Sequence, residues 1–242
     1  MFIACGGDGT FREVAQVVSG RAKLGIIPLG TVNQIAAQLG IPARMNQALD
    51  LLAEPEIALV YPGECAFDDS PALHLFFIGV SAGPDADAVD LVNPFLKKTV
   101  GSLAYGIAFL GRLLKPVRPE ITCTLGTEGG GRVVRASEAI ALANGLYGAK
   151  FRFSRSLGPT VPGLGFIATR GGRLSVTALF LAAMVGAGSS WTREIGNSLL
   201  TLELPIKGAF QIDGDRVVAK LARIRSAVEP IRVVVPPGSV RV

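Results

Sequence analysis

The stretch Gly6-Gly-Asp-Gly-Thr10 constrains this chain more than any other, because of what flanks it. Phe2 to Cys5 are short and apolar, as a buried parallel strand is. Phe11, Val14, Ala15 and Val18 then recur at helical spacing, and Thr10 with Glu13 has the pattern of a capping box. The segment therefore reads as strand, tight turn, helix. Gly6, Gly7 and Gly9 let the backbone bend and approach a ligand with no Cβ in the way. A glycine-rich turn feeding a helix N-terminus cradles phosphate, since amide N–H groups and the positive end of the dipole both face the anion. Asp8 is the odd residue, since a carboxylate there repels phosphate. It reads as a Mg²⁺ ligand or as a base that takes a proton from an attacking hydroxyl.

A second unit follows. Leu24-Gly-Ile-Ile-Pro28 reads as a short buried strand, and Leu29-Gly-Thr-Val-Asn33 as another Gly/Thr turn opening a helix. Thr31 and Gln34 have capping-box spacing, Ile35, Ala36 and Leu39 form the apolar face, and Gly40 and Pro42 end it. A third helix is expected over 45–53. From Ile57 the pattern changes to strands, expected over 57–61, 64–67, 73–80, 120–125, 133–143, 173–179, 199–204, 209–213 and 231–235, with one helix over 101–114 between them. The fold class is thus α/β plus mostly-β. Residues 1–55, with 230–242 returning, are expected to form a partial Rossmann-like nucleotide-binding domain, and 56–229 a β-sandwich. Only one strand precedes the phosphate turn, so the α/β part reads as incomplete: a fragment, a late start or a reduced fold.

Charge and composition narrow the function. The net charge of +5 favours anionic partners such as nucleotide phosphates or an acidic membrane surface. The basic residues are scattered and only 7% of residues are aromatic, which argues against a nucleic-acid reader. Cys5, Cys65 and Cys123 have no metal spacing and read as small buried residues in a reducing compartment. His74, alone in an apolar run, reads as a satisfied strand histidine. The start has no signal-peptide pattern. The longest uncharged stretch, 174–192, carries several Gly, Ser and Thr residues and reads as buried or interfacial rather than membrane-spanning.

Taken together, Gly6-Gly-Asp-Gly-Thr10 and Gly25-Ile-Ile-Pro-Leu-Gly-Thr-Val-Asn33 resemble the diacylglycerol kinase catalytic domain family, which includes bacterial lipid kinases and sphingosine kinases. Weaker matches follow in family order at Gly79–Ala86, Gly101–Tyr105, Ala143–Gly148, Gln211–Asp215 and Ile231–Pro236. The resemblance implies an ATP-dependent kinase that transfers the γ-phosphate to a lipid hydroxyl of a diacylglycerol-like or sphingoid substrate. Gly6, Gly7, Gly9 and Thr10 would hold the ATP phosphates, and Gly30, Thr31 and Asn33 would form the second wall of the nucleotide site. Asp8 and Asp215 would be the catalytic carboxylates and Mg²⁺ ligands. It further implies a cytoplasmic protein bound peripherally to membrane through its lipid substrate, with no nucleic-acid partner, and leaves room for a homodimer.

The chain departs from the family pattern at four places. Strands that precede the phosphate turn in the family are absent. Gln34 stands where the family has Asp, and Asp215 where it has Glu, one methylene longer. Gly171-Gly172 replaces an Asp-Gly pair that helps hold a structural Mg²⁺, so that metal is expected to be missing. Two other classes compete. A non-catalytic relative would keep the lipid or nucleotide pocket without turnover. NAD kinases share the Gly-Gly-Asp-Gly-Thr turn but lack the Pro-Leu-Gly-Thr-Val-Asn stretch.

Overall fold

The computed structural model describes residues 1–18, 22–53, 56–91, 111, 120–127, 130–147 and 151–239. The helix expected over 101–114 therefore lies outside the described residues, Gly111 apart.

Four strands form the first sheet: β1 (Phe2–Gly6), β2 (Lys23–Pro28), β3 (Glu56–Val60) and the late strand β16 (Ile231–Val235), in the order β1-β2-β16-β3. β1, β2 and β16 run parallel, and β3 closes the sheet antiparallel to β16. The chain end thus returns to lie between β2 and β3, and β3 belongs to this sheet although it follows residue 55. Helix α1 (Asp8–Val17) crosses from β1 to β2, and α2 (Gln34–Gln38) and α3 (Met45–Asp50) follow β2. α2 is short because Gly40, at φ +72, and Pro42 end it at once. β1 is the edge strand, so Phe2 and Ile3 are exposed rather than buried.

The second sheet takes up β4 (Gly63–Phe67), β5 (His74–Phe76), β6 (Gly79–Ala82), β7 (Ile121–Thr127), β8 (Gly130–Ala136), β9 (Glu138–Leu142), β12 (Leu164–Thr169), β13 (Arg193–Gly196), β14 (Leu199–Ile212) and β15 (Asp215–Ser226). The first half of β14 pairs with β7 and its end with β6, with a bulge between Glu203 and Gly208. That branch brings β7 and β8 against β9 and β12 across a shared core of Phe67, Phe76, Phe210, Leu164, Leu200 and Leu202. A small hairpin of β10 (Leu146–Tyr147) and β11 (Phe151–Arg152) and helix α4 (Pro84–Leu91) complete the unit.

Several expectations are corrected. The strand expected over 173–179 is part of helix α5 (Gly172–Met184), whose buried residues Val176, Leu179, Phe180 and Ala183 follow helical spacing. The run 133–143 breaks at Ser137 into β8 and β9, and 73–80 breaks into β5 and β6. β12, β13 and the long β15 were not anticipated. Cys65 and Cys123 are buried, with thiols pushed up by desolvation, the latter to about 12, whereas Cys5 is exposed. His74 lies exposed on β5 with its ring 5.8 Å from that of Phe67.

α1 joins the two sheets. Phe11 and Phe77 pack with ring centroids 4.7 Å apart, and Gln16 bonds the backbone at both ends of its amide, donating to Leu73 O and accepting from Leu75 N.

Candidate active site

The turn after β1 is built on backbone contact. A Cβ on Gly6 would lie 2.4 Å from Thr10 Oγ1, and one on Gly30 would lie 2.4 Å from Gly7 Cα. Neither loop has a glycine with positive φ, so close approach rather than a left-handed backbone requires glycine here. Leu29 N–H donates to Gly6 O at 2.9 Å, fastening the second loop to the first. Asn33 closes that second loop: Gly30 N–H donates to its Oδ1 at 2.9 Å and its Nδ2 donates to Gly30 O at 2.8 Å. Asn33 sits at φ 50, ψ 48, a left-handed position that Asn tolerates far better than most residues.

Gly9 is different. It lies in the first turn of α1, is exposed, and a Cβ there would meet nothing within 4 Å. Gly30, Thr31 and Val32 of the second loop are also exposed. The first-turn amides of a helix have no carbonyl one turn behind them, so a phosphate approaching Gly9 meets donors and no steric obstacle.

Neither expected capping box forms. α1 begins at Asp8, which carries Thr10 into its first turn against Gly6, and α2 begins at Gln34, which leaves Thr31 outside it. Asp8 instead caps α2 from across the loops. Its Oδ2 accepts from Gln34 N at 2.9 Å and its Oδ1 from Ile35 N at 3.0 Å. The carboxylate inside a phosphate turn thus has a physical reason: the N-terminus of a neighbouring helix offsets its charge. Each oxygen retains acceptor capacity.

Gln34, buried, donates its amide to the Leu146 carbonyl. An aspartate at this position, ionised, could not. The substitution at the family's acidic position therefore ties α2 to the Asn144–Tyr147 turn of the second unit.

Asp213-Gly214 is a two-residue hairpin turn between β14 and β15, with φ 49 and 93 as a type I′ turn requires. Asp215 forms an ion pair with Arg12 Nη2, one turn along α1 from Asp8, while Arg12 Nη1 donates to Ile212 O at 2.8 Å. Asp213, to which no role was given from sequence, accepts from Phe77, Ile78 and Gly79 N–H at 2.8 to 2.9 Å. These bonds draw off the N–H groups where the 73–80 run breaks. Burial pushes the Asp213 carboxyl up to about 6, against the pull of the three N–H donors and of Arg12. The signal for this turn was present, because Asp-Gly between two apolar runs is a hairpin signature.

A buried polar cluster adjoins the same turn region. Asp85, at the start of α4, accepts from Ser81 Oγ at 2.7 Å and Tyr147 Oη at 2.5 Å, and its N–H donates to buried Glu138. Desolvation raises the Asp85 carboxyl, and desolvation with the charge of Asp85 raises the Tyr147 phenol. Tyr147 follows Leu146, so Asp8, Gln34, Leu146, Tyr147 and Asp85 form one connected path between the two units.

The structure thus gathers Gly6, Gly7, Gly9, Thr10, Gly30, Thr31 and Asn33 at two touching loops, and places Asp8 and Arg12 on the adjoining helix, with Asp215 of β15 paired to Arg12. Among the described residues no group of three or more His, Cys, Asp or Glu side chains is disposed to hold a metal.

With this geometry in hand, similarity to known proteins is informative. A family model described as the diacylglycerol kinase catalytic domain matches residues 1–65, which contain both loops. A diacylglycerol kinase of Staphylococcus aureus (strain JH9) is 37% identical over 111 residues, 44% of this chain and 33% of that protein. The match spans about a third of the length of the curated relatives. The crystal structure of a diacylglycerol kinase from Bacillus anthracis str. Sterne superposes with a TM-score of 0.71 at 16% identity, over 98% of this chain and 78% of that one. Yeast NADH kinase complexed with NADH superposes with a TM-score of 0.52 at 12% identity, over 97% and 61%. The two structural likenesses concern the fold. The resemblance to the diacylglycerol kinase catalytic domain family, with its α/β and strand-rich parts, is borne out.

Proposed function

We propose that this relative of the diacylglycerol kinase catalytic domain family transfers the γ-phosphate of ATP to the hydroxyl of a lipid. The observation that carries the reading is the pair of loops in backbone contact at Gly7 and Gly30, beside a first helical turn left open at Gly9. Gly6, Gly7, Gly9 and Thr10 would present amides to the phosphates, and Gly30, Thr31 and Asn33 the second wall. The first-turn donors and the space at Gly9 fit a polyphosphate. Asp8, which keeps acceptor capacity beside its two bonds to α2, and Asp215 would be the chain's ligands to a Mg²⁺ that takes most of its coordination from phosphate oxygens and water, as this ion does at nucleotide sites. When bound, the ion would neutralise charge on the transferring phosphoryl group. Arg12 positions Asp215 and restrains the hairpin next to α1.

The test is transfer of label from [γ-³²P]ATP to diacylglycerol and to sphingosine in mixed micelles, run separately. A labelled phospholipid product from either supports the reading and identifies the acceptor class. Nucleotide binding without any labelled lipid would favour a non-catalytic relative. One observation favours that second reading: Asp215 is paired with Arg12 and is one methylene shorter than the glutamate of the family. Label transferred to NAD instead would overturn the lipid assignment.

A further inference from the structure

Helix α5 is buried on one side only. Val176, Leu179, Phe180 and Ala183 pack inward, with the Phe180 ring 5.2 Å from Phe151 and 5.6 Å from Phe153. On the other side Leu174, Ala178, Leu181 and Val185 recur at intervals of four, three and four residues, which places them in one stripe. Leu174 is 79% exposed, Leu181 58% and Val185 80%. An apolar helix stripe this open requires a cover in use.

Charge identifies the cover. From Phe151 to Arg193 the chain contains no Asp or Glu, while Arg152, Arg155, Arg170, Arg173 and Arg193 are all exposed. β11, β12 and the 3-10 turn Gly188–Ser190, against which α5 packs, contribute no acidic residue either. The nearest one in sequence, Glu194, is engaged by Ser156 Oγ. An apolar stripe with Arg170 and Arg173 at its start, in a stretch whose charged side chains are all arginine, complements an anionic bilayer, whose headgroups pair with the arginines while the acyl boundary takes the stripe. A second copy of the same face would bring arginine against arginine with no carboxylate between 151 and 193 to pair them. Among the described residues no helix is long and apolar enough to cross a membrane.

We propose that the outer face of α5, Leu174–Ala178–Leu181–Val185 with Arg170 and Arg173 at its start, docks the protein on anionic lipid bilayers. This deepens the lipid-kinase reading and rests on it for its purpose, but its test is independent of turnover. The full chain is sedimented without nucleotide with vesicles of phosphatidylcholine alone and of equimolar phosphatidylcholine and phosphatidylglycerol. Binding is expected to the anionic vesicles and to fall with added salt, as screening shortens the reach of the arginine charges. The variant L174S/L181S/V185S, altered only at exposed positions, is expected to bind those vesicles roughly tenfold or more weakly, with an unchanged melting temperature. R170Q/R173Q, which leaves the stripe intact, is expected to weaken binding and flatten its salt dependence. Parental binding in both variants overturns the proposal. So does a concentration-dependent dimer that the serine variant abolishes, found without vesicle binding by the parent. Transfer to a short-chain, water-soluble diacylglycerol is measured in parallel. Its absence, together with absence of transfer to sphingosine, sinks the kinase reading, whereas its persistence in a serine variant that no longer binds vesicles supports both.

Discussion

Gly9 offers the sharpest test of where phosphate sits, because fold and ligand make opposite demands on it. The residue lies in the first turn of α1, its backbone is not left-handed, and a Cβ would meet no protein atom within 4 Å. Glycine in a helix costs about 0.5–1 kcal/mol relative to alanine through the entropy of the unfolded chain. Gly9→Ala should therefore stabilise the protein by about that amount, raising the melting temperature by roughly 1–4 °C for a chain of this size. The same methyl would stand where a phosphate oxygen approaches the first-turn amides. Loss of one charge-assisted hydrogen bond there, about 1.5–3 kcal/mol, weakens nucleotide binding about 10- to 150-fold. Gly30→Ala is the contrast: its Cβ would fall 2.4 Å from Gly7 Cα, so the loops must part and both stability and affinity fall. Calorimetric titration with a non-hydrolysable ATP analogue, together with thermal melts, reads both quantities. A more stable Gly9→Ala variant with parental affinity would show that the phosphates do not lie against α1.

Asp8→Asn should lose activity and also stability, by about 1–2 kcal/mol, since an amide offers one acceptor oxygen to the two N–H groups of α2; an unchanged melt would remove its capping role. Gln34→Asp restores the residue usual in the family yet should destabilise by roughly 2–4 kcal/mol, because an ionised carboxylate at this buried position cannot donate to the Leu146 carbonyl; urea unfolding measures it, and a neutral result refutes the tie. Asp213 has a folded value near 6, above the ordinary 3.8. Its protonation therefore adds stability present below about pH 4 and lost as pH rises through 6. The effect is on the order of 1–2 kcal/mol, since the residue is only partly buried and solvent screens it. Comparing unfolding of the parent and of Asp213→Asn at pH 4 and pH 7 isolates it, and identical pH dependence in both would show that Asp213 does not titrate in this range.

What could be read in the sequence were the features whose partners are near in the chain. The glycine turn, the strands on either side of it and the second Gly/Thr loop are local, and they fix the two-loop core of the candidate site. Helix α5 was misread as a strand because its outer stripe is as apolar as its inner one, which erases the helical period over Arg173 to Leu179. β15 was missed for the opposite reason: Asp215, Arg216, Lys220, Arg223 and Arg225 recur along it with a spacing that shifts phase between Lys220 and Arg223, so the run looks like a solvated loop until β14 pairs with it. The carboxylates were hardest. Asp8 bonds residues 26 and 27 positions away and Asp213 residues 134 to 136 positions away, and both sit in glycine-flanked turns. A turn aspartate has the same local pattern whether it meets a metal, a proton or a backbone amide, and only the fold decides among them. Here the fold gives both carboxylates backbone N–H groups first. Any catalytic use of Asp8 must therefore operate with α2 already bonded to it, so a metal at Asp8 would be sensed at the start of α2 through the same two oxygens.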